Sequence, residues 1–248
     1  MGAAPAPGEV RIGTSGWSYD HWKDVLYPAG AYAKRLESYV AEFDTVELNA
    51  SFYHWPRAER FAAWRERVPR DFLMTVKAPR GLTHARKLRG TEAWRDRLAE
   101  GIQALGEVAG FLLLQLPPEL TRDDAVLDAA LAALPGGTPA AVEFRHSSWD
   151  DEAVYRILER HGASYCVMSG ARLPCVLRAT AHTVYIRFHG PDREHLYAGS
   201  YSEDDMQWWA DRIGEWRQAG HGVVAYFNND GHGHAVRNAR ELIRLTSG

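Results

Sequence analysis

Cysteine, lysine and methionine are all scarce in this 248-residue chain, which has two, four and four of them. Two cysteines, Cys166 and Cys175, are too few for a disulfide-stapled miniprotein, and both are expected to be reduced thiols. The first ten residues, MGAAPAPGEV, have neither the basic start nor the apolar stretch of a signal peptide. No apolar run approaches the ~20 residues that cross a bilayer, so no membrane partner and a cytoplasmic address are expected. Linkers, charge blocks and low-complexity tracts are lacking as well. One domain over 10–248 is therefore expected, behind a disordered tail over 1–9.

With 46% hydrophobic and 25% charged residues, the composition is that of an ordinary globular protein. Two features stand out from it. There are nine Trp, and among 29 basic residues only Lys23, Lys34, Lys77 and Lys87 are lysine. The net charge of −3 does not advertise nucleic-acid binding, but residues 57–97 carry ten Arg and two Lys against five acids.

Eight β-branched or aromatic runs predict strands: Val10 to Trp17, Thr45 to Tyr53, Phe72 to Pro79, Phe111 to Pro117, Ala140 to His146, Ser164 to Ser169, Thr183 to Gly190 and Val223 to Asn229. Helical spacing lies between them, as in Trp94/Leu98/Ile102/Leu105 and Met206/Trp209/Ile213/Trp216. Ser202 with Asp205 reads as a capping box, and a last helix is expected from about Ala235 to Leu245. Eight strand-helix alternations in a chain of this length are the arithmetic of an α/β fold, a single (β/α)8 TIM-barrel-like domain. An open doubly wound sheet is disfavoured, because no Gly-rich phosphate turn follows the first strand. One helix departs from the rule: GARLPCVLRATAH, between strands 6 and 7, is Pro-broken, so that helix is expected to be reduced or missing.

Barrel chemistry sits where strands end. The strand ends GTSGW, ELNASFY, LLLQLPP, EFRHSSW, RFHG and YFNN, in this order and spacing, closely resemble the YecE-like family, domain of unknown function 72. The resemblance covers Ile12 to about Leu245. It implies a TIM-barrel-like fold and implies no reaction or cofactor. The stretch Asp230-Gly231-His232-Gly233-His234 departs from the family pattern, so no family role is carried onto its two histidines.

Residues alternate faces along a strand, which groups Glu47 with Asn49, Glu143 with Arg145, and Arg187 with His189. With Lys77, Gln115 and Asn228 they would furnish a polar barrel mouth, since unpaired buried charge is costly and must pair or bind something. Glu47 and Glu143 set against Lys77, Arg145 and Arg187 leave one positive charge, and two guanidinium forks suit a carboxylate or phosphate. Glu47, Lys77, Glu143 and His189 are thus candidate catalytic residues. Trp17, Tyr19, Asn49, Tyr53, Gln115, Arg145, Trp149, Arg187 and Asn228 are candidate substrate contacts. Lys77 pairing with Glu47 on the neighbouring strand is the structural alternative to its catalytic role.

A bound metal is disfavoured, because His146 has the opposite parity to Glu143, and Lys77 and Arg145 repel a dication. No Ser lies in a G-x-S-x-G elbow, so a hydrolase triad is unsupported. The expectation is a cofactor-independent enzyme using acid/base chemistry on an anionic small molecule, phosphorylated or carboxylated. The alternative is a nucleic-acid-binding or nucleic-acid-processing protein, with Arg80, Arg86, Lys87 and Arg89 tracking phosphates and Trp17, Trp22, Trp55 and Trp149 stacking on bases.

Overall fold

The structure, a computed structural model, describes residues 4–28, 30 and 32–247. Eight parallel strands, β1 (Val10–Ser15), β2 (Thr45–Leu48), β3 (Leu73–Lys77), β4 (Ala109–Gln115), β5 (Ala140–Glu143), β6 (Ser164–Ser169), β7 (Thr183–Phe188) and β8 (Gly222–Phe227), follow one another in chain order around a closed barrel. The helices are α1 (Arg35–Val40), α2 (Ala50–Tyr53), α3 (Ala58–Arg65), α4 (Arg95–Leu105), α5 (Asp124–Ala133), α6 (Glu152–His161), α7 (Glu203–Gln218) and α8 (His234–Thr246). The alternation read from the sequence is therefore the architecture, and the segment between Ser169 and Thr183 contains no helix.

Local chemistry explains the element boundaries. Strand β4 reads AGFLLLQ and is buried up to Gln115, the near-continuous apolar run of a strand covered on both faces. Helix α6 begins where the Asp151 side chain accepts from Ala153 N–H, and it stops at Gly162, whose φ of 61° is the left-handed conformation that glycine adopts without Cβ strain. Its Val154, Ile157 and Leu158 are buried, each contributing about 1.5–3 kcal/mol of transfer free energy. Helix α7 opens with the Ser202/Asp205 capping box and buries Met206, Trp209 and Ile213.

One predicted strand is too long. The run Thr45 to Tyr53 is extended only through Leu48; Asn49 has helical angles, and Ala50–Tyr53 forms α2. Ser51 Oγ stabilises the turn, within hydrogen-bond reach of the Leu48 and Lys77 carbonyls at 2.8 and 2.7 Å. Both cysteines are free thiols, Cys166 buried and Cys175 exposed. Of the tail expected over 1–9, residues 1–3 lie outside the described residues. Pro5 is buried and Gly8 N–H donates to the His221 carbonyl at 3.2 Å.

The chain falls into two compact units. One contains Leu48–Cys166 and Arg178–His182; the other contains Pro5–Glu47, Val167–Leu177 and Thr183–Gly248. In the first, β3 pairs with β4 and β4 with β5, with Lys77 opposite Leu113 and Gln115 opposite Glu143. In the second, β1 pairs with β2 and β8, and β7 with β8, with Ser15 opposite Glu47 and Arg187 opposite Tyr226. Gly13 is required here, because a Cβ would lie 2.2 Å from the Thr45 carbonyl oxygen.

Candidate functional site

In the unit containing β1, β7 and β8, a buried acid is surrounded by donors. Glu47 is fully buried and accepts hydrogen bonds from Ser15 Oγ at 2.6 Å, Tyr185 OH at 2.6 Å and Arg187 Nη2 at 2.7 Å. Tyr185 and Arg187 reach the same carboxylate because they are two residues apart on β7 and share a face. The Thr45 and Tyr226 hydroxyls meet at 2.7 Å, and the Tyr185 and Tyr226 rings pack at 5.4 Å. Arg187 is also fully buried, so Glu47 and Arg187 form a solvent-free ion pair. Tyr19 OH donates to the Ser15 carbonyl at 2.7 Å; burial, and then the charges of Asp230 and Glu47, push its phenol pKa well above the usual range.

His189 follows β7 in the same unit and is buried. Its N–H donates to the Ser169 carbonyl at 2.6 Å, and its Nδ1 lies 3.4 Å from Asn228 Nδ2. A strap, residues 190–200, passes beside it: Tyr197 packs edge-on to the imidazole at 5.3 Å and donates its N–H to the His189 carbonyl. The strap is pinned by Asn229 Nδ2 donating to the Gly199 carbonyl and by Gly190 N–H donating to Tyr201 OH. Gly190 has φ 85° and would place a Cβ 2.1 Å from the Ala198 oxygen. Trp17, also in this unit, is half-buried.

In the other unit, Glu143 at the end of β5 is fully buried. It pairs with Arg145 Nε at 2.5 Å and has the Cys166 thiol 3.8 Å from its second oxygen. Lys77, half-buried at the end of β3, holds its ammonium 4.3 Å from the centre of the Phe52 ring, and the His84 ring meets that same ring edge-on at 5.0 Å. Tyr53 packs on Phe52 as well and is 73% exposed. The Asn49 side-chain oxygen is buried without a hydrogen-bond partner among the described residues, a condition that costs about 1–3 kcal/mol and so invites one. Gln115, half-buried, neighbours Glu143 across the β4–β5 pairing.

His84 is the residue that the sequence reading missed. Burial holds its pKa below the ordinary value, and the positive charges of Lys77, Arg80 and Arg145 lower it further, opposed by Glu119. A histidine seven residues beyond a strand-end lysine, inside an arginine-rich loop, was the available signal. In that loop Leu82 and Leu88 are buried, while Arg80, Arg86, Lys87 and Arg89 are exposed and Arg89 pairs with Asp123 at 2.8 Å.

The tryptophans divide differently from the expected rim. Trp149 is 2% exposed and donates its indole N–H to the Leu120 carbonyl at 2.7 Å; Trp22, fully buried, donates to the Asp230 carbonyl; Trp55, 9% exposed, donates to the Arg97 carbonyl. Those rings are loop packing. Trp208 on α7 is the exposed one, at 43%, with the Arg212 guanidinium 5.5 Å from its ring centre. Among the described residues, no group of three or more His, Cys, Asp and Glu side chains is placed to hold a metal ion, and no helix is long and apolar enough to cross a membrane.

Comparison with known proteins gives the same picture of kinship. The chain is 28% identical to the UPF0759 protein YunF of Bacillus subtilis (strain 168), over 95% of this chain and 94% of that protein. It is 24% identical to the UPF0759 protein YecE of Escherichia coli O157:H7, over 84% of this chain and 82% of that protein. Among solved structures it is similar to a DUF72 family protein from Thermotoga maritima MSB8, at 28% identity and a TM-score of 0.85, covering 97% of this chain and all of the other. The family model described as "Protein of unknown function DUF72" matches residues 11–248, and with strand-end motifs, barrel and relatives in agreement, the chain belongs to the DUF72 family.

Proposed function

We propose that the chain is an enzyme that acts on an anionic small molecule, phosphorylated or carboxylated, by acid/base chemistry at the strand ends around Lys77. One observation carries this reading. Lys77, Arg80 and Arg145 all bear on His84, with Glu119 opposing them, and Arg145 is held by Glu143. Three positive charges that converge on one half-buried imidazole favour an anionic ligand. The Glu143 pair fixes the orientation of the Arg145 guanidinium, a planar fork suited to carboxylate or phosphate oxygens. Lys77 adds an ammonium, and a lysine beside other cations suits proton transfer. Asn49 and Gln115 are the amides that would orient the ligand. Glu47 and Arg187 neutralise one another, so in this reading they brace the fold beneath His189 and Asn228.

The test is calorimetric titration with inorganic phosphate at low salt. Lys77→Met and Arg145→Ala are each expected to weaken binding at least about tenfold, which corresponds to about 1.4 kcal/mol. Unchanged affinity in both variants overturns the proposal.

Nucleic acid is the second reading, favoured by one observation: Tyr53 is exposed, and Arg80, Arg86 and Lys87 from the same unit are exposed too. Such a surface stacks a base and tracks phosphates, and its affinity falls steeply with salt. Absence of oligonucleotide binding at low salt removes it.

A further inference from the structure

We propose that residues 190–199, within the connection from β7 to α7, are a hinged lid over His189, and that a small molecule reaches this imidazole only when the lid lifts. The inference goes beyond the anionic-ligand reading and does not rest on it, since every residue it uses lies in the unit containing β1, β7 and β8.

His189 directly follows β7, at the strand end where barrel chemistry is placed, and it is 0% exposed, so nothing even of water's size touches it. Residues 189–202 connect β7 to α7 with neither helix nor strand, against about two to six residues in most such connections. Long loops at this end of a barrel are where active-site lids occur. The tip of the loop is bonded to itself. Asp192 N–H donates to the Ala198 carbonyl at 3.3 Å, and Asp192 Oδ1 accepts from the Glu194 and His195 N–H groups, each at 2.8 Å. A glycine in the left-handed region stands at either end, Gly190 with φ 85° and Gly199 with φ 82°. A self-bonded tip between two such residues turns as one body about its ends.

The closed position is held at a cost. Tyr197 covers the imidazole at 5.3 Å and donates its N–H to the His189 carbonyl at 2.7 Å, yet it does so with φ 71°, a left-handed conformation that strains a residue with a side chain. Leu196 and Tyr197 remain 40% and 37% exposed with the lid down. Asn229, fully buried, fastens the far end through Nδ2, which donates to the Gly199 carbonyl at 2.9 Å and to Asn238 Oδ1 at 3.0 Å. A carbonyl can only accept, which fixes the orientation of the Asn229 amide and leaves its buried Oδ1 without a donor among the described residues. A clasp with one acceptor unsatisfied and one residue strained is released at less cost than a fully satisfied one. Lifting the lid relieves Tyr197 and admits water to Asn229, while β7, β8 and α7 keep their own hydrogen bonds. Reclosing would then hold a small molecule beside the imidazole away from bulk water.

Diethyl pyrocarbonate, which acylates accessible imidazoles, is the probe, with modification read residue by residue by mass spectrometry and the exposed His54 as reference. In the native protein His189 is expected to react more slowly than His54, at a rate that stays flat through low urea, because a local opening exposes little new surface. Tyr201→Phe removes the acceptor of the Gly190 N–H and is expected to speed His189 about three- to tenfold with His54 unchanged. Gly190→Ala, whose Cβ would lie 2.1 Å from the Ala198 oxygen with the lid down, is expected to speed it further. The Tyr197 amide is expected to exchange with solvent at least about a hundredfold faster than that of Ile186 inside β7. A His189 that is modified only as the whole chain unfolds, at a rate climbing with urea, overturns the lid. So does a rate unchanged in both variants, or a Tyr197 amide as protected as that of Ile186. Should Gly190→Ala fail to fold, Tyr201→Phe and the urea series decide. Phosphate enters none of these measurements, so their failure leaves the reading at Lys77 standing, and failure of that reading leaves the lid.

Discussion

Replacing Glu47 by Leu removes the acid from a fully buried guanidinium and takes an acceptor from Ser15 and Tyr185 at the same time. Breaking a buried pair by removing one partner costs about 3–5 kcal/mol, because the remaining charge keeps its desolvation penalty and loses its Coulombic return. At about 2–4 °C per kcal/mol for a domain of this size, the melting temperature should fall by about 6–20 °C. Replacing both partners, Glu47→Leu with Arg187→Met, removes the charge and the penalty together and should cost less than Glu47→Leu alone. The assay is urea unfolding of wild type, both singles and the double, read as a double-mutant cycle, with a coupling of at least about 2 kcal/mol expected. If Glu47→Leu melts within about 2 °C of wild type, or if the two substitutions are additive, the reading of Glu47 and Arg187 as a desolvated brace is refuted. Phosphate affinity in the double variant should be unchanged, which separates the brace from the ligand contacts.

Gly13→Ala should lower stability by at least about 1–3 kcal/mol, since its methyl would lie 2.2 Å from the Thr45 oxygen; a thermal melt decides it, and an unchanged midpoint contradicts the tight β1–β2 approach. Trp149→Phe keeps the ring stacked on Phe144 but loses the bond to the Leu120 carbonyl, so it should cost about 1–3 kcal/mol in urea unfolding and leave phosphate and oligonucleotide titrations unaltered. On the acid side, Arg122 holds Asp124 below the usual carboxylate range, and Arg160 with His161 does the same to Asp128. The folded-state pKa values are lowered, so the stability these acids contribute is present above their unfolded pKa and is lost as pH falls through the folded one. Urea midpoints should drop below about pH 4, and Arg122→Ala with Arg160→Ala should make that drop shallower.

Much of the architecture was legible because parallel strands covered on both faces leave near-continuous apolar runs such as Phe111 to Leu114, and helices leave 3.6-residue stripes such as Val154/Ile157/Leu158. ELNASFY misleads over its second half for the same reason in reverse. A short aromatic run has no period, and only the reach of Ser51 Oγ to the Leu48 and Lys77 carbonyls reveals that Ala50–Tyr53 coils. At the site, parity grouped Arg187 with His189, but it could not assign partners across 140 residues, so Arg187 read as a ligand clamp with no sign of its pairing to Glu47 or of Tyr185 beside it. The indoles of Trp22, Trp55 and Trp149 read as stacking platforms because nothing in a linear sequence identifies which loop carbonyl will accept an N–H. His84 was lost among the arginines that make it unusual.

The strap beside His189 has a consequence for how this protein can be handled. Residues 193–197 are exposed, and both ends are fastened, at Gly190 through Tyr201 and at Gly199 through Asn229. Arg193 is therefore an accessible cleavage point for trypsin, in a segment whose severed halves would stay bound to the body of the molecule. Scission there would yield a nicked chain that still sediments as one particle, and the rate of nicking would become a clock for whatever happens around that imidazole, readable on a denaturing gel.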